Sequence, residues 1–459
     1  MTSTVSPPAD SPYLADSSGF RGSAERICVP ESEAELAEVL REATASRTPV
    51  TISGAGTGLT GGRVPQSGWL ISMERFNRLE IHPGYAVAGA GALLRDVQAA
   101  ATTAGQFYPP DPTENSASIG GTIITNASGS RSFLYGPTRR CVRALRVLLM
   151  SGETLILRRG EKAPFELPVI AQPGSTKNTA GYFLSPEADY LDLFVGSEGT
   201  LGIVTEAELA LLPAPKELFT GVVFFKSDAA TLNAVDAWRS IPKLRMLEYL
   251  DAGSLNLLRP RFPEIPREAG AALLIEQEAD GQGDMEDAWL DRLEGASALL
   301  EASWFATSAA DRERFRRFRH SLPEAVNDLL RTRGLTKVAS DFAVPVARNR
   351  DMLRIYRDTL DRDFAGRYVI LGHIGDAHLH LNVLPEGEEE WARAKEMLTG
   401  FARQAVAFRG TVSAEHGLGK LKRHLLPLQF SADQIEAMRN VKRLFDPHWL
   451  LGAGTLFPD

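Results

Sequence analysis

From Glu31 the chain reads ESEAELAEVLREATAS, which places Leu36, Val39, Leu40 and Ala43 on one face of a helix. Its glutamates fall in the first turn, where the helix dipole favours them. A β-branched run, Pro49-Val50-Thr51-Ile52, predicts a strand feeding the glycine-dense segment SGAGTGLTGG, and Trp69-Leu70-Ile71-Ser72 predicts the next strand. Helical LLRDVQAAATTAG follows, and two more glycine-rich stretches lie around Gly120 to Ser130 and Gly196 to Gly202. The alternation reaches Glu208 and describes one α+β unit punctuated by three glycine clusters. Ahead of it, residues 1–21 are rich in Ser, Pro and Asp without apolar periodicity and read as a mobile leader.

Pro213-Ala214-Pro215 interrupts both helix and central-strand continuation and marks a domain boundary, giving a first domain over 22–212. Beyond it come strand-like Val222-Val223-Phe224-Phe225, Leu273-Leu274-Ile275-Glu276 and Tyr368-Val369-Ile370-Leu371, with helical TLNAVDAWRS and MEDAWLDRLEGASALLEA between them. These predict an antiparallel sheet with helices on one face. The acidic run Glu386 to Glu390 reads as the start of a solvated helix rather than a metal site.

A length of 459 residues allows about two to four structural units. A net charge of −8 removes the broad basic surface that nucleic-acid backbone binding needs. The two cysteines, Cys28 and Cys141, form no CxxC pair and support no disulfide framework, which fits a reducing cytoplasm. The N-terminus lacks the basic and apolar regions of a secretory signal, and no run approaches the ~18 apolar residues of a membrane span.

Chemistry concentrates in a few motifs. Residues 53–62 place five glycines after a strand, so uncovered backbone N–H groups can wrap phosphate oxygens; the alternative is a tight surface turn. The segment is no Rossmann fingerprint, because LTGGRVP is a poor helix start, and no Walker lysine follows. From Tyr108 to Ser130, fixed prolines and small polar residues leave room for a large planar ligand. Four of the eight histidines fall in two motifs, GHIGDAHLHLN at 372–382 and SAEHGLGK at 413–420. A turn at Gly375-Asp376 would fold His373 back beside His378 and His380, which share a strand face. Glu415 and His416 add a carboxylate and another imidazole, enough N/O donors for a divalent ion. On the basic helix around Arg312 to His320, Arg319 borders the apolar edge of Phe315, Phe318 and Leu322 and is the arginine expected to point inward.

In their order and separations, GTGLTGG, PPDP, SIGGTIITNASG, Tyr135-Gly136 and GSEGTLGIVTEAEL resemble the FAD-binding domain of the vanillyl-alcohol oxidase / p-cresol methylhydroxylase superfamily. The resemblance is to its D-2-hydroxyacid dehydrogenase branch, which includes D-lactate dehydrogenases, glycolate oxidase flavoprotein subunits and D-2-hydroxyglutarate dehydrogenases. It runs from about Ile27 to the C-terminus. It implies an α+β fold, a two-part FAD-binding domain plus an α+β cap or substrate domain over 213–440 with an antiparallel sheet. Phe445-Asp446-Pro447 matches the family's FDP and implies that 441–459 return to the FAD domain, although the family's NPGK is Gly452-Ala453-Gly454-Thr455 here.

By the same resemblance Gly56, Thr57, Gly58, Leu59, Thr60 and Gly61 contact the FAD pyrophosphate. Pro110, Ser118, Gly120, Gly121, Asn126 and Ser130 line the dinucleotide and isoalloxazine, and Glu198, Gly199, Ile203 and Val204 lie near the adenosine half. The first loop lacks the histidine of covalent-flavin members, so noncovalent FAD is implied. The family's GHxGDGNxHxN and SxEHGxG carry over as metal ligands His373, His380 and Glu415, for zinc, iron or manganese, with His416 as base. This chain departs at Ala377 and at His378, the latter an extra imidazole beside the metal. Arg319 is implied as the substrate-carboxylate ligand and Lys337 as a second cation. The threonine that the hydroxyglutarate-specific group carries near the arginine is absent, with Pro323 close to its place, which counts against that substrate.

The implied activity is oxidation of a D-2-hydroxy acid to the 2-oxo acid by metal-assisted proton abstraction and hydride transfer to flavin N5. Electrons would then leave to a quinone, a cytochrome or an electron-transfer flavoprotein. A cytoplasmic place, including the inner membrane face, and a homodimer are compatible with it. The alternatives are another alcohol-type substrate within the superfamily, or a non-catalytic flavin-binding subunit of an oxidase complex; the histidine motifs argue against the lactone and covalent-sugar branches and against the non-catalytic subunit.

Overall fold

The computed structural model describes residues 7–279 and 285–457, so residues 1–6 of the expected leader and residues 458–459 lie outside the described residues. Ser32 accepts the Glu35 N–H and caps the helix Glu33–Ala45, which buries Leu36, Val39, Leu40 and Ala43 as the pattern predicts. These side chains share a core with a three-stranded parallel sheet in which Trp69–Ser72 lies between Arg26–Cys28 and Val50–Ser53. A second, antiparallel sheet runs in the order Leu79–His82, Tyr85–Gly89, Ile203–Ala210, Val142–Leu148, Thr154–Arg158. Together they form the two parts of the first domain. Between them the second glycine-rich stretch holds a short helix, Ile119–Ile124, whose Ser118 side chain accepts the Gly121 N–H.

The second domain is built on a seven-stranded antiparallel sheet. Its order is Trp304–Phe305, Leu218–Phe225, Ala271–Glu278, Leu244–Asp251, Tyr368–Gly372, His380–Val383, Val338–Ala339. Helices cover both faces, which corrects the one-face expectation. Val222 and Phe224 join a core with Phe315, Phe318 and Leu322, while Val223 and Phe225 join another with Trp238 and Trp289. The continuous apolar runs VVFF and LLIE carry that information, because a sheet covered on one side alternates apolar with polar residues. MEDAWLDRLEG is helical over Met285–Gly295, and the chain then breaks at Ser297, which adopts φ 57°. The basic helix extends over Ala309–Thr332 through Pro323, which cannot donate to the Arg319 carbonyl four residues back.

Segments from both ends of the chain pack on the first domain. Pro12 to Arg21, expected to be mobile from composition, packs on the first glycine loop: Leu14 is buried, Ser17 donates to Gly56 O, and Gly61 N donates to Asp16. A stretch with few apolar side chains is held here by backbone hydrogen bonds. At the other end, Val50 N donates to Leu450 O and Gly452 N to Val50 O, extending the parallel sheet by one more segment. The buried Lys442 ammonium donates to Thr200 O, Leu451 O and Asp446. The helix Ala432–Phe445 therefore already rests on the first domain.

Candidate active site

The first glycine loop leaves the end of Val50–Ser53 and needs its glycines. Gly56 has φ 86° and Gly61 φ 74°, and a Cβ on Gly54 would stand 2.4 Å from Ser118 Oγ. Thr57, Gly58 and Leu59 remain open to solvent, while Thr60 is buried and its carbonyl accepts Lys420 N and Leu421 N of the second domain. Beside the loop is a cavity of about 550 Å³ lined by Gly54, Gly56, Gly91, Leu93, Ser118 and Arg63, among others. Backbone freed of Cβ atoms, next to an open cavity and the capped Ser118 helix start, suits a dinucleotide, so the residues present fit FAD.

The other sequence-predicted cofactor residues are more divided. Gly120 is packed tightly, since a Cβ there would meet Ala90 Cβ at 2.8 Å, and Gly121 lies partly open in the same turn. Pro110 is buried with its carbonyl accepting Gln98, and Ser130 is half-buried. Asn126, at φ 48°, turns its Oδ1 to Arg139 N. Ile203 and Val204 put their side chains into the hydrophobic core, so only their backbone is left for a ligand. Gly199 adopts φ 69° at the turn before them. Glu198 is committed elsewhere: its carboxylate accepts Leu418 N at 2.9 Å and Gly419 N at 2.6 Å, bracing the turn that follows His416. Burial pushes this carboxyl up to about 7, and the two N–H groups only partly offset it.

The histidine motifs converge as predicted in outline. A 3₁₀ turn at Ile374–Asp376 with Ala377 in the left-handed region (φ 51°) folds His378 back, so that the His373 and His378 rings lie 5.3 Å apart and those of His378 and His380 4.4 Å apart. His378 precedes the strand His380–Val383 rather than sitting in it. Glu415 Oε1 lies 3.4 Å from His373 Nε2 and 3.1 Å from His380 Nε2. Its other oxygen accepts Ser128 Oγ at 2.7 Å and Lys177 Nζ at 3.3 Å. Burial would raise the Glu415 carboxyl, but Lys177 and His373 hold it well below the usual carboxylate range. Donor atoms from His373, His378, His380 and Glu415 all lie within 4.8 Å of one another. That donor set, with Nδ1 of buried His378 lacking a hydrogen bond, fits a divalent metal.

His416 stacks on His380 at 5.4 Å and keeps about a quarter of its side chain accessible. Buried Asp341 positions it, accepting His416 N at 2.9 Å and lying 3.5 Å from its Nδ1. Burial pushes the imidazole down to about 4 despite Asp341 and Glu415. Arg319 does point inward, donating from Nε to Glu248 at 2.9 Å. Glu248 also meets His373 Nδ1 at 2.6 Å; burial would raise it, but His373 and Arg319 pull it down to about 2. Lys337 is exposed; the protein around it, with Lys422 and Arg319 nearby, lowers its ammonium to about 8.

Four residues of this cluster, Glu248, Asp341, Lys177 and Ser128, escape a motif reading. Asp341 is visible as the first residue of DFAVP but carries no sign of its role. Lys177 comes from the first domain and is 3% exposed between Glu415 and Asp376. The only signal for it is a polar trio, Lys177-Asn178-Thr179, ahead of Gly181.

Comparison with known proteins agrees with this architecture. A family described as FAD binding domain matches residues 24–158, and one described as FAD linked oxidases, C-terminal domain, matches residues 214–456. Glycolate oxidase subunit GlcD of Bacillus subtilis is 30% identical, covering 95% of this chain and 90% of its own. D-lactate dehydrogenase of Anaerostipes hadrus is 31% identical (93% and 88% covered), and D-2-hydroxyglutarate dehydrogenase of Xanthomonas citri 32% (94% and 89%). A solved structure of alkyldihydroxyacetonephosphate synthase superposes with a TM-score of 0.68 at 17% identity, covering 95% of this chain and 76% of that one, and shares the fold. The chain thus belongs to the FAD-linked oxidase family and is a FAD-linked oxidoreductase of the D-2-hydroxyacid dehydrogenase type.

Proposed function

We propose that this protein oxidises a D-2-hydroxy acid to the 2-oxo acid where the glycine loop of the first domain meets the histidine motifs of the second. FAD is held noncovalently and a divalent ion, zinc, iron or manganese, is held by His373, His380 and Glu415. The observation that carries this reading is the juxtaposition of the His416 imidazole, 3.7 Å from Glu415 Oε1, with a donor set in which His373 and His380 lie 3.4 and 3.1 Å from the same oxygen. When bound, FAD supplies the electron sink and the ion the positive charge that acidifies an alcohol.

The chain's own groups do the rest. His416 accepts the substrate's hydroxyl proton, its ring steadied through Nδ1 by Asp341. Arg319, tethered at Nε by Glu248, turns its Nη groups to a carboxylate, and Lys337 adds a second cation. Pro323 on the same helix argues against a 2-hydroxyglutarate preference. The glycine loop holds no histidine or cysteine to attach flavin, so acid denaturation should release it to the supernatant; flavin retained on the precipitate contradicts this. Electrons pass on to a quinone, cytochrome or electron-transfer flavoprotein. Both cysteines are free and buried, in keeping with a reducing cytoplasm, and among the described residues no helix is long and apolar enough to cross a membrane.

The test is dye-linked turnover by metal-replete protein with paired D- and L-2-hydroxy acids and glycolate. Turnover with D-acids or glycolate, lost on chelation and restored by metal, is expected. Turnover of L-acids alone, or of none, overturns the reading.

A further inference from the structure

His378 is the residue of the histidine cluster that the roles above leave unused. It is 0% exposed, its Nε2 lies 3.2 Å from Asp341 Oδ1, and its Nδ1 makes no hydrogen bond within the protein. A buried imidazole left this way is costly unless something occupies its lone pair.

Each of the three clustered imidazoles turns one nitrogen toward the Glu415 carboxylate, His373 and His380 to Oε1 and His378 to Oε2. His373 aims Nε2 at Glu415 (3.4 Å) and gives Nδ1 to Glu248 (2.6 Å). His380 aims Nε2 at Glu415 (3.1 Å) and gives Nδ1 to Ser340 O (3.4 Å). His378 aims Nδ1 at Glu415 Oε2 (4.0 Å) and backs Nε2 onto Asp341 Oδ1 (3.2 Å). One nitrogen toward a common centre, with the other toward a carboxylate or carbonyl, is how metal-bound histidines are held, the outer acceptor fixing the tautomer. Asp341 is also engaged by Ser413 Oγ at 2.8 Å and His416 N at 2.9 Å. A role as a mere partner of Asp341 therefore leaves Nδ1 unexplained.

We propose that His378 is a fourth protein ligand of the divalent ion, making the centre three imidazoles and one carboxylate with Asp341 as the outer partner of His378. This rests on the metal reading of the proposed function. It gives the site a nitrogen-rich donor set, which suits zinc or iron better than magnesium or calcium. In a six-coordinate ion it leaves two positions, enough for one bidentate hydroxy acid.

The experiment uses the FAD-loaded full chain stripped of metal, with zinc alone as probe. Affinity is read by competition against a chromophoric chelator, and X-ray absorption at the zinc edge counts bound imidazoles. The wild type should bind one zinc with three imidazoles. His378→Asn, with FAD content and circular dichroism unchanged, should keep the zinc with two imidazoles and bind it at least about tenfold more weakly. Two imidazoles in the wild type overturn the proposal without any variant, as does an unchanged affinity and imidazole count in His378→Asn. If Glu415→Gln abolishes binding in either of those cases, the metal centre stands and only the fourth ligand falls. A wild type that binds no zinc overturns both.

Discussion

Glu248 bridges the two functional halves of the second domain's site, and its removal has a calculable cost. Its carboxylate is 1% exposed, receives Arg319 Nε at 2.9 Å and contacts His373 Nδ1 at 2.6 Å. Its pKa falls from 4.5 to about 2, the contacts with His373 and Arg319 outweighing burial. A depressed carboxyl stabilises the fold above its unfolded pKa and loses that contribution as pH falls through the folded value. Two to three pKa units at 1.36 kcal/mol each give about 3 kcal/mol, within the ~3–5 kcal/mol expected for breaking a buried ion pair by removing one partner. Glu248→Gln keeps the shape and removes the charge, leaving the Arg319 guanidinium uncompensated. Because a two-domain chain need not unfold in one step, the readout is local. Amide hydrogen exchange in the strand Leu244–Asp251 and the helix Ala309–Thr332 should report opening about 3 kcal/mol easier at pH 7, with the difference shrinking toward pH 3. Pairing it with Arg319→Met should give less than the sum of the two losses. Equal protection at pH 7, or strict additivity, refutes the triad.

Three further outcomes are expected. Asp341→Asn, which unsettles His416, should slow substrate-dependent flavin reduction by about 10²–10⁴-fold with FAD retained; near-normal reduction removes Asp341 from that positioning role. Glu198 has a folded pKa raised from 4.5 to about 7, so its contribution is greatest below pH 4.5 and is lost as pH rises through 7. The thermal midpoint should therefore fall between pH 5 and 8 more steeply in wild type than in Glu198→Gln, and parallel slopes contradict this. Gly419→Ala forces a Cβ to 2.2 Å from the Thr60 carbonyl at φ 54°, so a loss of at least ~1–3 kcal/mol should appear in thermal melts, and a silent variant contradicts the packing.

Much of this was legible along the chain because the signals are local. Leu36, Val39, Leu40 and Ala43 recur at helical spacing and are buried together, and the histidines of one motif need only a four-residue turn to meet. What was not legible joins distant segments. Glu248 meets a histidine 125 positions away, and Lys177 reaches Glu415 across 238. Neither has a periodic neighbour to betray it. Glu198 shows the converse, a glutamate in a cofactor-type motif whose carboxylate the backbone of the other domain consumes. The Pro12 to Arg21 segment was misjudged because composition records what a stretch can bury, and this one is held by hydrogen bonds to a glycine loop.

The central claim is that the alcohol carbon of a D-2-hydroxy acid loses its hydrogen to the flavin beside His416. The direct measurement is anaerobic stopped-flow bleaching of the flavin by a D-2-hydroxy acid carrying protium or deuterium at carbon 2, in wild type and His416→Ala. Complete bleaching by the D-acid with a primary isotope effect, slowed by orders of magnitude in the variant, is the predicted result. A flavin that stays oxidised with every hydroxy acid in metal-replete protein contradicts the account.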